Sequence, residues 1–169
     1  MNKASQLGFG LLETVTAITI LAAGMMALWS ALNRSQQQAH QLQNSVLATA
    51  LVRDLAARLH MHRDAFGGDT SALYVHPLGQ ALPSPQPCTQ ACSASAWARH
   101  NLANWGQALV TQLPQAQFAI EASARSPGFL LVLLAWPDPS ISAPLPAETG
   151  LGSLACPARH QCRWVHIRP

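Results

Sequence analysis

Glu13 stands at the head of twenty residues, 14–33, that contain no Asp, Glu, Lys or Arg. At about 1.5 Å per residue, a helix of that length is about 30 Å long, the thickness of a bilayer's hydrocarbon core. The run therefore predicts one membrane-crossing helix. An ordinary secretory signal fits it poorly, because the most obvious exit, Trp29-Ser30-Ala31, puts Trp where a small side chain belongs before the cut. A plain single-pass anchor explains the length but not Glu13, since an unpaired charge in mid-membrane costs about 2.5 to 3.5 kcal/mol or more. At the headgroup level, or at the positive end of a helix dipole worth roughly 0.3 to 1 kcal/mol, the same carboxylate is tolerated.

The 169 residues leave room for one domain beside that segment. Charge is sparse. Lys3 is the only cation before Glu13, and nine arginines are scattered from Arg34 to Arg168. No basic run of the kind that marks a nucleic-acid groove is present, so nucleic acid is not an expected partner. Counting positive residues around the span, Lys3 against Arg34, Arg53, Arg58 and Arg63, would place the C-terminal side inside the cell. A long segment with four cysteines follows, however, and long domains translocate largely regardless of their charge. The expected orientation is N-terminus cytoplasmic, with the C-terminal domain translocated across the membrane.

Those cysteines, Cys88, Cys92, Cys156 and Cys162, suggest two disulfides in a translocated domain, with three possible connectivities. A four-thiolate zinc site is the rival, but three residues within the first pair and five within the second do not match two-residue zinc knuckles. Local pairing, Cys88 with Cys92 and Cys156 with Cys162, is preferred, and the sequence leaves the other connectivities open.

All twelve prolines lie from Pro77 onward, so the composition breaks there. Upstream the chain reads as helix: polar residues 34–41 suit a helix leaving the bilayer, and Leu47, Leu51, Leu55 and Leu59, with Ala48 and Val52 beside them, form a stripe that must be covered. Asp54 with Arg53 and Arg58 offers local charge pairing. One helix over residues 9–62 would be about 80 Å long. Residues 66–87 read as a loop with at most a short strand at 73–76. Ala98, Leu102, Trp105, Leu109 and Leu113 mark a second amphipathic helix, with Ser93 or Ser95 as N-cap and Pro114 as stop. Phe118, Ile120 and Ala122 alternate with polar or small residues as in a half-buried strand; residues 129–136 form an apolar strand and 163–167 a last short one, while 138–153 read as a surface loop. A long helix laid on a small antiparallel sheet is an α+β design. Trp105, Trp136 and Trp164 are expected in its core, and Trp29 either at the membrane interface or in helix packing.

No nucleophile elbow, phosphate-cradling glycine loop or His-Glu-x-x-His helix occurs. His60 and His62, two apart on a helix, point in different directions, which argues against a shared metal. Cys156, His160 and Cys162 could ligate a metal only if reduced. The chain is not expected to be an enzyme or to hold a metal or other cofactor.

The N-terminus carries a specific resemblance. A short leader with Lys3, then Gly8 before Phe9, then Glu13 and an apolar helix, resembles the class III signal of type IV prepilins and pseudopilins. The resemblance implies that a prepilin peptidase cuts between Gly8 and Phe9 and methylates the new amine of Phe9, leaving the apolar helix in the mature protein. It implies also that Glu13 draws the subunit into a growing filament by pairing with a neighbour's N-terminal amine, an ion pair whose loss of either half leaves the other unpaired. The parts are then a leader (1–8), a transmembrane assembly helix (9–33) and a periplasmic pilin domain (34–169).

Further along, Arg53-Asp54-Leu55-Ala56-Ala57-Arg58-Leu59 is similar to a helix-end segment of minor pilins of the PilV type, as is the first cysteine pair followed by Asn101-Leu102-Ala103-Asn104-Trp105 and Leu113-Pro114. Ala57 departs from that pattern by replacing an acidic residue, and residues 138–153 have no counterpart in it. The implied role is that of a minor pilin assembling, priming or capping a type IV pilus, with the prepilin peptidase, other minor and major pilins and the inner-membrane assembly platform as partners. A minor pseudopilin of a type II secretion system uses the same N-terminal chemistry. A tip subunit binding DNA or a surface is an alternative of another class.

Overall fold

A computed structural model describes residues 7–84, 88, 92–123, 126–141 and 154–169, with the backbone alone for 7–9. The elements run α1 (Leu7–Phe66), a 3-10 turn (Ser71–Tyr74), α2 (Ala94–Gln112), β1 (Gln117–Ala122), β2 (Leu130–Pro137) and β3 (His160–Ile167). The strands form one antiparallel sheet in the order β1-β2-β3. This is the α+β layout of a long N-terminal helix and a small antiparallel sheet. The chain divides after Gln43 into two units, α1 contributing to both.

In the first unit every described side chain of residues 10–43 is exposed. The second unit has the core. From α1 it takes Ala48, Leu51, Val52, Leu55 and Leu59, the expected stripe, with Leu47 only partly buried at its side. From α2 come Ala98, Leu102, Trp105 and Leu109, and from the sheet Phe118, Ile120, Leu130, Val132, Leu134, Trp136 and Ile167. Trp105 locks the two helices in register: its Nε1 donates to the Leu51 carbonyl at 2.8 Å, and its ring meets Phe118 edge-on at 4.9 Å. Nearer the start of the unit, Arg163 of β3 donates to Ser45 Oγ of α1 at 3.3 Å.

Local chemistry sets the ends of the helices. α1 stops where the Gly67 amide returns to the Arg63 carbonyl at 2.8 Å and Gly67 and Gly68 adopt φ of +69° and +74°, a backbone that L side chains resist. α2 begins at Ser93, whose hydroxyl accepts from the Ala96 amide, and ends before Pro114. Asp54 and Arg58 pair at 2.8 Å across one turn of α1, an exposed contact worth about 0.3 to 0.5 kcal/mol.

Three expectations are corrected. Residues 73–76 are not a strand: a 3-10 turn occupies Ser71–Tyr74, and only His76 reaches the sheet, through a bridge to Ile120. β1 is not buried on one face alone. Ala119 is buried as well as Phe118 and Ile120, whereas Ala122 is exposed. The reason is a second apolar layer, in which Leu154 covers Ala119, Leu131 and Leu133 with Leu78, Cys162 and Trp164 around it. β2 is thus buried on both faces, and so its sequence is continuously apolar rather than alternating. Trp164 lies in this outer layer, half-buried, its Nε1 donating to the Leu154 carbonyl at 3.1 Å, and not in the main core. Of the loop expected at 138–153, residues 142–153 lie outside the described residues, as do the leader residues 1–6.

The main core yields a direct stability test. Leu55→Ala removes a fully buried side chain between α1 and the sheet, and is expected to lower the unfolding free energy by about 2 to 5 kcal/mol, measured by denaturant titration. Trp105→Phe keeps the aromatic ring contact but loses the donor to Leu51, whose carbonyl still has its own helical partner, so a smaller loss of about 1 to 2 kcal/mol is expected.

Candidate functional site

The first unit is a helix whose apolar side chains point in every direction. Ile18, Ile20 and Leu21, then Met25, Met26 and Leu28, are all more than 60% exposed, although helical spacing spreads them around the axis. A helix apolar all round must be buried by something else, lipid or other helices. It is the one helix among the described residues long and apolar enough to cross a membrane, with a mean hydropathy of 1.9 in its most apolar window.

Hydroxyl groups inside this stretch do not spoil it, because each turns back on its own helix. Thr14 Oγ1 donates to the carbonyls of Gly10 and Leu11 at 2.9 Å, Thr16 to Glu13 at 2.8 Å, Thr19 to Thr16 at 2.8 Å and Ser30 to Ala27 at 2.8 Å. With the donors satisfied internally, the segment presents little unpaired polarity to an apolar medium. Around Gly24, as around Gly10, the space a side chain would fill is open, which leaves room for another helix to approach the backbone.

Glu13 is the exception in this unit. The ion pairs among the described residues join Asp54 to Arg58 and Asp64 to Arg63, and none reaches Glu13. The next cation along the helix is Arg34, about 31 Å further on by helical rise. Gly8 and Phe9 lie in the first turns of α1, and Phe9 is four residues before Glu13, one turn away on the same side of the helix. An amine created at Phe9 would therefore lie about 6 Å along the axis from the level of Glu13.

Away from that helix, the sulfurs are joined locally. Cys88 is bonded to Cys92 and Cys156 to Cys162, with Cα separations of 6.0 and 5.9 Å. Disulfides of this kind suggest an oxidising compartment. The second bond has a visible structural task, because it ties the segment that carries Leu154 onto β3 and so holds the outer apolar layer over the sheet. His160 is not gathered with those sulfurs as a metal ligand; its Nδ1 lies 2.8 Å from the Ala158 carbonyl. Among the described residues no group of His, Cys, Asp and Glu has the geometry to hold a metal ion.

His60 and His62 do point apart: His60 is exposed and His62 fully buried. Sequence reasoning passed over that burial, although His62 follows Leu55 and Leu59 at the spacing of the same stripe. A half-open cleft of about 310 Å³ is lined by Arg63, Asp69, Thr70, Arg168 and Pro169 among others. It mixes both signs of charge, and the residues that form it come from distant parts of the chain, so no local motif announces it. Comparison with family models, with curated proteins and with solved structures finds no match to this chain.

Replacing Cys156 and Cys162 together by Ala is expected to destabilise the second unit by about 2 kcal/mol from lost loop closure, and to raise amide hydrogen exchange in Leu131 and Leu133 beneath Leu154. Equal exchange in the two forms would show that the bond does not hold this layer.

Proposed function

We propose that this chain is a minor pilin, made as an inner-membrane precursor with its second unit on the periplasmic side, cut between Gly8 and Phe9, and joined with other pilins to assemble, prime or cap a type IV pilus. The observation that carries the proposal is Glu13. An acid without a described partner stands at the head of a helix that is apolar all round, one turn after the Phe9 position where a new amine would be created. In lipid that acid is a cost. In a bundle of such helices, the amine of one chain and the carboxylate of the next neutralise each other where water is scarce, and the attraction is strong because the local dielectric is low.

The mechanism is an exchange of surroundings. The subunit leaves lipid for contact with sister helices, so its apolar surface stays out of water throughout and no large hydrophobic penalty opposes the transfer. What favours the bundle is close packing at small residues such as Gly24, together with the pairing at Glu13. Pairing also sets axial register, because a shift of one turn separates the two charges by about 5.4 Å. The α+β layout of helix and small antiparallel sheet, and the two local disulfides, support the same reading. On this proposal the prepilin peptidase, the other pilins and the inner-membrane assembly platform are its partners.

Deleting the gene and counting surface fibres tests the role. Few or no fibres, restored by the wild-type gene and not by Glu13→Ala, is the expected result. Normal fibres with lost export of secreted proteins would instead assign the chain to a type II secretion pseudopilus. Normal fibres and normal secretion would contradict the proposal.

A further inference from the structure

We propose that His62 is an acid-sensitive latch: on taking up a proton its imidazole leaves the aromatic site it fills, and the turn Ser71–Tyr74 and the start of α2 come away from the end of α1. The inference is independent of the pilus reading. His62 has no exposed surface, and its ring meets Phe66 edge-on at 4.9 Å and Tyr74 at 5.4 Å. Neither ring nitrogen makes a well-formed hydrogen bond, the Ala94 backbone offering a weak polar contact. Beside it, Phe66 lies 6.3 Å from Trp97, whose Nε1 is likewise buried and without a partner. One small aromatic cluster thus holds three polar atoms that water would satisfy and the closed structure does not.

A neutral imidazole endures this site, but an imidazolium does not, since it carries two donors and a full charge. Apart from the Ala94 backbone, the groups around it offer no compensation. On α1, Arg58 is one turn earlier and already paired with Asp54, while Arg63 donates to the Pro169 carbonyl at 2.7 Å and lies near Asp64. In the 3-10 turn the one titratable group is the Tyr74 hydroxyl, which burial holds in its neutral form and which accepts from Asn101. Asp69, just before that turn, binds the Ser71 amide. The first turn of α2 is Ala94-Ser95-Ala96-Trp97, without charge; beyond it Arg99 is exposed and His100 lies 2.9 Å from Asn104. No carboxylate among the described residues lies within ion-pairing distance of His62. The edge-on contacts with Phe66 and Tyr74 do not replace the lost hydration of a buried, unpaired cation.

Burial accordingly pushes the His62 pKa below its ordinary value, the Ala94 backbone offsetting part of the shift. The open form has the ordinary histidine pKa of about 6.5 and takes up a proton first. Closure is therefore most favoured above that pH and weakens as the pH falls through and below it. If the closed form excludes the proton, the open fraction rises about tenfold between about pH 7.5 and about pH 5.5. Gly67 and Gly68, directly after α1, supply backbone freedom for the movement. His76, also buried, is held differently: its Nε2 lies 3.2 Å from the Gln80 carbonyl and its backbone is bridged to Ile120.

Hydrogen–deuterium exchange of the full chain in detergent micelles tests the latch, with rates corrected for the intrinsic effect of pH. Peptides covering residues 58–76 and 93–105 are expected to lose about tenfold in protection between about pH 7.5 and about pH 5.5, while β2 peptides hold theirs. His62→Phe, an uncharged ring of similar width, should abolish the change. Equal acid loss in His62→Phe, or none in the wild type, overturns the inference. Because the variant can fail to fold, exchange at the imidazole C2 hydrogen of wild-type His62 is followed as well. Half-titration below about 6.5 is expected, and half-titration at the ordinary value overturns the latch by itself.

Discussion

An acid held at the head of an apolar helix, with no described ion pair of its own chain, is the constraint that any setting for this helix has to meet. Carboxylates are tolerated in apolar surroundings only when paired or hydrogen-bonded. Every hydroxyl in the helix between Gly10 and Ser30 solves its own problem by returning to a carbonyl three or four residues back. Glu13 has no such route, because a carboxylate cannot donate to those carbonyls and the helical amides near it are already engaged. In an apolar medium a partner for it would have to come from the N-terminal residues or from another molecule. An amine at Phe9, one turn earlier, is the group that prepilin-like processing would supply.

The second unit answers a different question, how a small three-stranded sheet becomes stable. A sheet of this size with one covered face has limited apolar area to bury. Here both faces are covered, one by α1 and α2 and the other by the layer around Leu154, which makes β2 a fully buried central strand. The Cys156–Cys162 bond lies beside that second layer, so covalent and apolar contributions reinforce each other at the same place. Where α1 ends, the cluster of His62, Phe66, Tyr74 and Trp97 closes over polar atoms it does not satisfy. One domain therefore combines a clamped sheet and a poorly satisfied corner.

Much of this was legible in the residues, for physical reasons that differ by element. The stripe ending at Leu59 has helical period and no proline, so its burial follows from repetition alone. Ser93 and Pro114 bound α2 because capping and ring closure act locally. The outer layer was not legible: Ala119 owes its burial to Leu154, thirty-five residues later, and alternation along β1 carries no trace of it. The turn Ser71–Tyr74 has too few residues for any period to show. His62 was visible in principle, as the next position on the leucine stripe, but its polar identity argued for the surface and packing overrode it. For the candidate site the balance is similar. Gly8 to Glu13 is a contiguous motif, readable in one dimension, as is the uncharged run after it, and the ion pairs among the described residues leave Glu13 out.

The central claim is that this helix enters an assembly with a free amine at Phe9 facing an acid at Glu13. Intact-mass and N-terminal analysis of the protein recovered from the membranes of its own host tests this most directly. The account predicts a chain that begins at Phe9, carries one added methyl group on its amine and retains the whole apolar helix. A chain that still begins at Met1, or one cut beyond the apolar run, would contradict it.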